Sequence, residues 1–175
     1  MTREIERKFI ISKIPNSLPK IKIKQGYLQT DKDRIVRIRS TSDEKGLLKN
    51  ILTIKGPSSK NGMSRLEYET SIPNKNAKEL FNLCYKPLIK KTRHIYMFEG
   101  MKWELDEFHG NNKGLLIGEI ELETESINFV KPNFLLEEVT GQKKYYNSML
   151  LMNPFCERGK KTQHIPNYLS SICVL

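Results

Sequence analysis

The chain has 175 residues, with 30 Lys and Arg against 20 Asp and Glu, a formal charge of +10 and 38% hydrophobic residues. That length fits one domain, or one domain with a small appendage, and the composition excludes collagen, coiled coil, disulfide scaffold and low-complexity disorder. No apolar run approaches the roughly 20 residues that span a bilayer, and the start MTREIERKF lacks a secretory apolar stretch, so a cytoplasmic protein without a membrane partner is expected. Cys84, Cys156 and Cys173 are odd in number and form no CxxC, which favours reduced thiols. The excess of positive charge leaves nucleic acid, an anionic surface or a small polyanion as partners.

Along the chain the dominant signal has period two, the signature of half-buried strands. Residues 2–11 put Glu4, Glu6 and Lys8 on one face and Ile5, Phe9 and Ile11 on the other. A weaker strand near 22–30 contains Gln25, Gly26 and Tyr27. Residues 34–41 oppose Arg37 and Arg39 to Val36 and Ile38, and residues 50–56 oppose Thr53 and Lys55 to Leu52 and Ile54. After a polar loop at 58–62, residues 63–72 set Arg65, Glu67 and Glu69 against Leu66 and Tyr68. Residues 75–84 predict a helix, with Asn74 as its N-cap and Ala77, Leu80, Phe81 and Cys84 as its apolar stripe. Residues 88–98, 101–108 and 115–124 resume the alternation through Lys91 and Arg93, Glu104 and Asp106, then Glu119 and Glu121. A short turn at 126–130 and a last helix at 143–152 follow, and the pattern fades after residue 156 into a loosely held tail.

Ordinarily such a strand shows its charges to water. Here the charges are sorted by strand instead of mixed, and side chains two residues apart stand roughly 6.8 Å from each other on one face. The alternative is a closed sheet with the charged face inside and the apolar face outside under helices. Eight strands leave an interior only wide enough for side chains or one small ligand. The sorted acids and bases nearly cancel, as enclosed charges must. Rows of carboxylates suit a hard divalent cation such as Mg²⁺ or Mn²⁺, and rows of Arg and Lys suit phosphate oxygens. Together they describe a phosphoryl-transfer site.

At this point the residues resemble a known family. The start Glu4-Ile5-Glu6-Arg7-Lys8-Phe9 is similar to the ExExK signature of the CYTH family, the triphosphate tunnel metalloenzymes. QGYL at 25–28, VRIR at 36–39, LTIKGP at 52–57 and RLEYE at 65–69 follow in order. KTR at 91–93, WELDEF at 103–108, GEIELE at 118–123 and EVTGQKKYYNSML at 138–150 complete a likeness over about residues 1–151. The resemblance implies an α+β fold, an eight-stranded antiparallel tunnel with a few outer helices, as one domain over 1–155 with the tail at 156–175. It implies Glu4, Glu6, Glu119 and Glu121 as metal ligands, with Asp106 serving the metal or the attacking water. It implies Lys8, Arg37, Arg39, Lys55, Lys91 and Arg93 as the phosphate-binding set. Arg65, Glu67 and Glu69 divide between a second metal, ion pairing and substrate orientation, and Glu104 pairs with a neighbouring base. Glu4, Glu6, Lys8, Asp106 and Lys91 are the expected catalytic group.

The expected reaction is metal-dependent hydrolysis of inorganic triphosphate to pyrophosphate and phosphate. Within the family the alternatives are thiamine triphosphate, a nucleoside triphosphate, or cyclisation of ATP. A binder of polyphosphate or RNA is the alternative of another class, but the chain lacks an aromatic cluster for base stacking. Only Tyr27 and Phe108 alternate onto the charged face of the strongest segments, which favours a bare, short polyphosphate. Tyr27 either packs or aims its hydroxyl inward. Trp103 is expected to face outward under a helix, and His94, His109 and His164 have no chelating spacing. Lys143, Lys144, Lys160 and Lys161 read as solvated surface. Nothing in the residues decides between monomer and homodimer.

Overall fold

Alternation of charged and apolar residues resolves into strands whose two faces have different neighbours. The computed structural model describes residues 2–31 and 33–158. Its strands are β1 (Thr2–Ile11), β2 (Lys20–Thr30), β3 (Ile35–Ser42), β4 (Leu48–Ser58) and β5 (Ser64–Ser71), then β6 (Ile89–Phe98), β7 (Met101–Phe108), β8 (Leu116–Glu121) and β9 (Leu135–Glu138). They form one sheet in the order β5-β4-β3-β2-β6-β7-β8-β1-β9, and pairing of β1 with β5 closes it. Every pairing is antiparallel. Eight strands therefore make the expected barrel, and β9 is an addition. One edge of β1 runs along β8, whereas the other is shared: Thr2–Ile5 pairs with β5, and Phe9 and Ile11 pair with β9.

The register puts each sorted charge inside. Glu4 lies opposite Arg65, Lys8 opposite Glu119, Lys55 opposite Glu67 and Arg93 opposite Asp106. At these four positions neighbouring strands present bases to acids, the stabilising arrangement of cross-strand pairs.

Outside, the apolar face has three different surroundings. Over β2 and β3 lies α1 (Asn74–Leu83), whose Ala77 and Phe81 pack with Cys84 against Ile38. Gly26 makes this close approach feasible, since a Cβ there would stand 2.7 Å from Cys84 Sγ. The expected cap differs: Pro73 is the N-cap and Asn74 the first helical residue, because the Asn74 carboxamide oxygen accepts from Asn50 instead. Among the described residues no helix lies over β1, β7 and β8. Trp103 faces outward as expected, but irregular chain covers it. The expected turn at 126–130 lies earlier, as bends and a turn over 123–126, followed by chain without regular secondary structure. Phe129 meets the Trp103 ring at 5.5 Å and Phe134 joins the same core. The third region, on β4 and β5, leaves Ile54, Leu66 and Tyr68 exposed.

The expected last helix is a 3-10 turn (Lys143–Tyr145) followed by α2 (Asn147–Met152). Its Leu150 and Leu151 are buried against Tyr27, Ile89, Phe108 and Ile117, with Ile10 and Ile35 alongside. Those are inward-pointing residues at one end of the barrel, so α2 closes that end. A further 3-10 turn (Phe155–Glu157) packs Phe155 on the same cluster. The remainder of the expected tail, from residue 159, lies outside the described residues, as do Lys160, Lys161, His164 and Cys173. Gly62 and Gly141, both with φ of +74°, touch across the rim; a Cβ on Gly62 would stand 2.4 Å from the Gly141 Cα.

Arg7 fastens β9 and the irregular segment to the barrel. Its Nε donates to Glu138 Oε1 at 2.8 Å, a second nitrogen donates to Oε2, and the guanidinium lies 5.1 Å from the Phe129 ring. The hydrogen bond from Arg7 holds the Glu138 carboxyl below its ordinary 4.5, against the opposing push of burial. A depressed carboxyl contributes stability that is present above its unfolded value and lost as pH falls through the folded one. Glu138→Gln is therefore expected to lower stability by about 1 kcal/mol at pH 7. Urea denaturation across pH should show the gap closing below 4.5; a gap independent of pH would show that the pair contributes nothing as charges.

Candidate active site

A cavity of about 590 Å³ occupies the barrel on the open side of the α2 plug. Its walls are the inward residues of the strands. Glu4, Glu6 and Lys8 come from β1, Arg37 and Arg39 from β3, and Lys55 from β4. Arg65, Glu67 and Glu69 come from β5, Arg93 from β6, Glu104 from β7, and Glu119 and Glu121 from β8. Of the expected site residues, only Lys91 and Asp106 are missing from the wall. They lie behind it, 1% and 0% exposed.

Two ion-pair clusters organise the charges. In the first, Lys55 Nζ reaches Glu4 at 2.8 Å and Glu67 at 2.6 Å, and Arg65 Nε donates to Glu4 at 2.9 Å. Arg37 donates to Thr53 Oγ1 at 3.0 Å and to Glu69 at 3.1 Å, and the Thr53 hydroxyl donates to Glu69 at 2.8 Å. In the second, Arg93 grips Asp106 with two nitrogens at 2.8 and 2.7 Å and reaches Glu119 at 2.6 Å. Close contacts also join Lys8 to Glu119, Lys91 to Asp106 and Arg93 to Glu104. Glu104 thus pairs with a base, as expected.

These contacts set the protonation states. Burial pushes the Glu4 carboxyl up, but Lys55 and Arg65 outweigh it and hold Glu4 well below the usual range. Burial opposes the Lys8 ammonium, yet Glu119 and Glu6 keep it above its ordinary value. Burial and the neighbouring Glu4 raise Glu67 to about 7. For Lys91, burial and then the Arg93 charge lower the pKa to about 8, against Asp106 and Glu119.

Arg39 stands apart. Among the described residues it makes no ion pair and no side-chain hydrogen bond, and its buried Nε has no partner. Burial, then the charges of Arg37 and Arg93, lower its pKa to about 10. Here a guanidinium faces the cavity beside two others, and its five donors are largely unused.

The sequence does not single out the other end of the cavity. Tyr146, Asn147 and Ser148 line it from the start of α2, and Tyr68 lines it from the rim. Tyr146 lies on no strand and Tyr68 has outward parity, so alternation could not find either. Tyr27 is buried in the lining, and its hydroxyl accepts a hydrogen bond from Gln25 Nε2 at 2.8 Å. Elsewhere, His109 is bonded to Thr92, His94 lies 3.8 Å from Glu107, and Lys143 and Lys144 are exposed.

The carboxylates suit a hard divalent cation by chemistry. Glu6 lies directly opposite Glu121, and Glu104 opposite Glu119, like-charge pairs that a cation would relieve. Among the described residues no three His, Cys, Asp or Glu side chains converge to ligate a metal. Glu4 and Glu119 are drawn instead to lysine and arginine, contacts that a metal would have to displace.

Comparison with known proteins gives a consistent result. The CYTH domain profile matches residues 2–150. The inorganic triphosphatase of Acetivibrio thermocellus is 48% identical over 158 residues, covering 89% of this chain and 97% of the relative. The inorganic triphosphatase of Nitrosomonas europaea is 34% identical over 155 residues, 86% and 97% of the two chains. The crystal structure of the inorganic triphosphatase NE1496 superposes with a TM-score of 0.62 at 30% identity, covering 87% of this chain and 96% of that one.

The buried cluster behind the wall yields a stability test. Asp106→Asn leaves Arg93 and Lys91 without their fully buried counterion, so a loss of about 3–5 kcal/mol is expected in urea denaturation. Glu104→Gln, at the half-exposed edge of the same cluster, should cost less than about 1 kcal/mol. Equal costs would show that the cluster is hydrated throughout.

Proposed function

The chain belongs to the CYTH domain family, and from that premise we propose that it hydrolyses inorganic triphosphate to pyrophosphate and phosphate inside the barrel. The observation that supports this reading most directly is Arg39. The other inward bases on the wall are engaged with carboxylates, so an arginine with free donors marks where an anion supplies the missing charge. Arg37 and Arg93 flank it, and a bare triphosphate brings several negative charges to this one place. Planar guanidinium groups grip phosphoryl oxygens in pairs and hold the chain in line for displacement.

Glu4, Glu6, Glu119 and Glu121 would hold a divalent cation, Mg²⁺ or Mn²⁺, and when bound it neutralises phosphate charge and polarises the scissile phosphoryl group. Glu67 and Glu69, across the cavity on β5, are the expected donors for a second ion. Lys8 is kept charged by Glu119 and Glu6 and stabilises charge as the leaving group departs. Arg65 and Lys55 orient Glu4. Lys91 is assigned proton transfer: its pKa near 8 matches neutral catalysis, and its Nζ must leave Asp106 to reach the cavity. Asp106 positions Lys91 and Arg93.

A second reading, a nucleoside triphosphate as substrate, gains from one observation. Tyr68 and Tyr146 add aromatic surface to the lining, where alternation offered only Tyr27 and Phe108. The bare chain is still favoured because the wall between them is almost wholly charged, and any base would have to lie at the rim.

Phosphate release is the deciding assay, with triphosphate and ATP as substrates and with Mg²⁺, Mn²⁺ or a chelator. The protein should prefer triphosphate over ATP by more than ~100-fold in kcat/KM, roughly 2.7 kcal/mol. Chelation should abolish turnover. Arg39→Ala should lower kcat/KM by ~100-fold, while thermal melts stay level or rise, since the variant removes like-charge repulsion. Wild-type kinetics in Arg39→Ala would place the anion elsewhere. Equal efficiency on ATP would move the substrate to the nucleoside class.

A further inference from the structure

Arginines of this chain meet carboxylates in two different ways. Arg7 and Arg93 each present Nε and one terminal nitrogen to a single carboxylate, Glu138 and Asp106, the two-pronged grip that a planar guanidinium favours. Arg37 does not. Among the described residues only its Nη2 is engaged, reaching Thr53 Oγ1 at 3.0 Å, Glu69 at 3.1 Å and Glu67 at 3.7 Å. Its Nε is buried without a partner, an orphaned donor that costs free energy. Two carboxylates stand close enough to relieve that cost by a fork, so something holds the guanidinium out of it.

Thr53 is placed to do this. Register sets it directly between Arg37 of β3 and Glu69 of β5, and it is 0% exposed. Its hydroxyl accepts from Arg37 and donates to Glu69 at 2.8 Å, so both of its hydrogen-bonding roles are filled. A terminal guanidinium nitrogen carries two hydrogens. With one of them on Thr53, a single hydrogen is left for Glu67 and Glu69 together. A valine here would free that hydrogen, and the guanidinium would close on the two carboxylates. We infer that Thr53 is a positioning residue for the bound anion: it keeps Arg37 pinned by one nitrogen and leaves Nη1 for phosphoryl oxygens beside Arg39. The inference rests on the reading of the cavity, which Arg37 and Arg39 line, as a triphosphate site.

Thr53→Val keeps the shape of the side chain and removes the hydroxyl. Calorimetric titration of the full chain with triphosphate, under chelation so that nothing is hydrolysed, should show binding ~10-fold weaker than wild type. With metal restored, KM should rise by about the same factor while kcat stays within ~3-fold, the mark of lost uniform binding. Thr53→Ser restores the hydroxyl and should bind within ~2-fold of wild type, whatever it costs in urea denaturation. Thr53→Ala also lacks the hydroxyl, so it should repeat the valine result and stands in if valine prevents folding. In an Arg37→Ala background Thr53→Val should weaken binding by no more than ~2-fold further, because it acts through that arginine. Wild-type affinity in Thr53→Val and Thr53→Ala overturns the inference, as does a serine variant as weak as the valine one. A full ~10-fold loss in the Arg37→Ala background overturns it too, by showing that Thr53 acts on something else. A wild type that binds triphosphate without hydrolysing it would refute the reaction assigned to the cavity while the titrations still tested Thr53. A wild type that binds none would overturn both.

Discussion

Charge enclosed by a small barrel has to be compensated where it stands. Behind the cavity wall, where Lys91 and Asp106 are fully buried, an isolated ion costs several kcal/mol even after relaxation. The strand register meets this demand locally: Glu4 faces Arg65, Lys8 faces Glu119 and Arg93 faces Asp106. A slip of one residue on any of these strands would turn its charges into the apolar coat and its Ile, Phe or Trp side chains into the cavity. Register, interior electrostatics and outer packing are therefore one constraint. The same lattice holds Arg37 and Arg93 in place beside Arg39, the inward base whose donors are free.

Much of this was legible in the alternation. Glu4, Glu6 and Lys8 against Ile5 and Phe9 fixes an inside and an outside, and each strand repeats the distinction. β9 was not legible because Leu135–Glu138 has no alternation to read; backbone pairing along the free half of β1 makes it a strand. Trp103 could be assigned to the outer face, but not its cover, because Phe129 and Phe134 lie in chain without periodicity. Residues 143–152 read as a helix from composition, yet nothing local says that Leu150 and Leu151 close the barrel. The balance of sorted acids and bases also hid Arg39. Near neutrality of the whole set is compatible with one arginine left alone, and only the register-determined pairing shows which one. Lys91 and Asp106 share the parity of the wall residues, but depth along the barrel axis is not a property of parity, and they fall behind Arg93.

The two faces of the sheet also show how one chain keeps opposite electrostatic policies apart. Inside, each base but Arg39 has acidic company; on the outer face of β2 and β6, Lys22, Lys24 and Lys90 have none. β2 contributes to both, presenting Tyr27 inward and Lys22 and Lys24 outward from a backbone a single strand thick. The surplus charge of +10 is thus not spread evenly, and a field attracting anions extends beyond the mouth of the cavity.

The plug formed by α2 makes the barrel a blind alley. With Leu150 and Leu151 packed onto Tyr27, Phe108 and Ile117, whatever enters leaves by the same door. Product and the next substrate would then have to share one mouth. A blind alley also acts as a ruler: a chain can be admitted only end first, and only to the depth of the plug. A cut made at a fixed depth would then be counted from a terminus. An open-ended pipe has no such reference point, so a short segment of six helical residues converts a container into a measuring device.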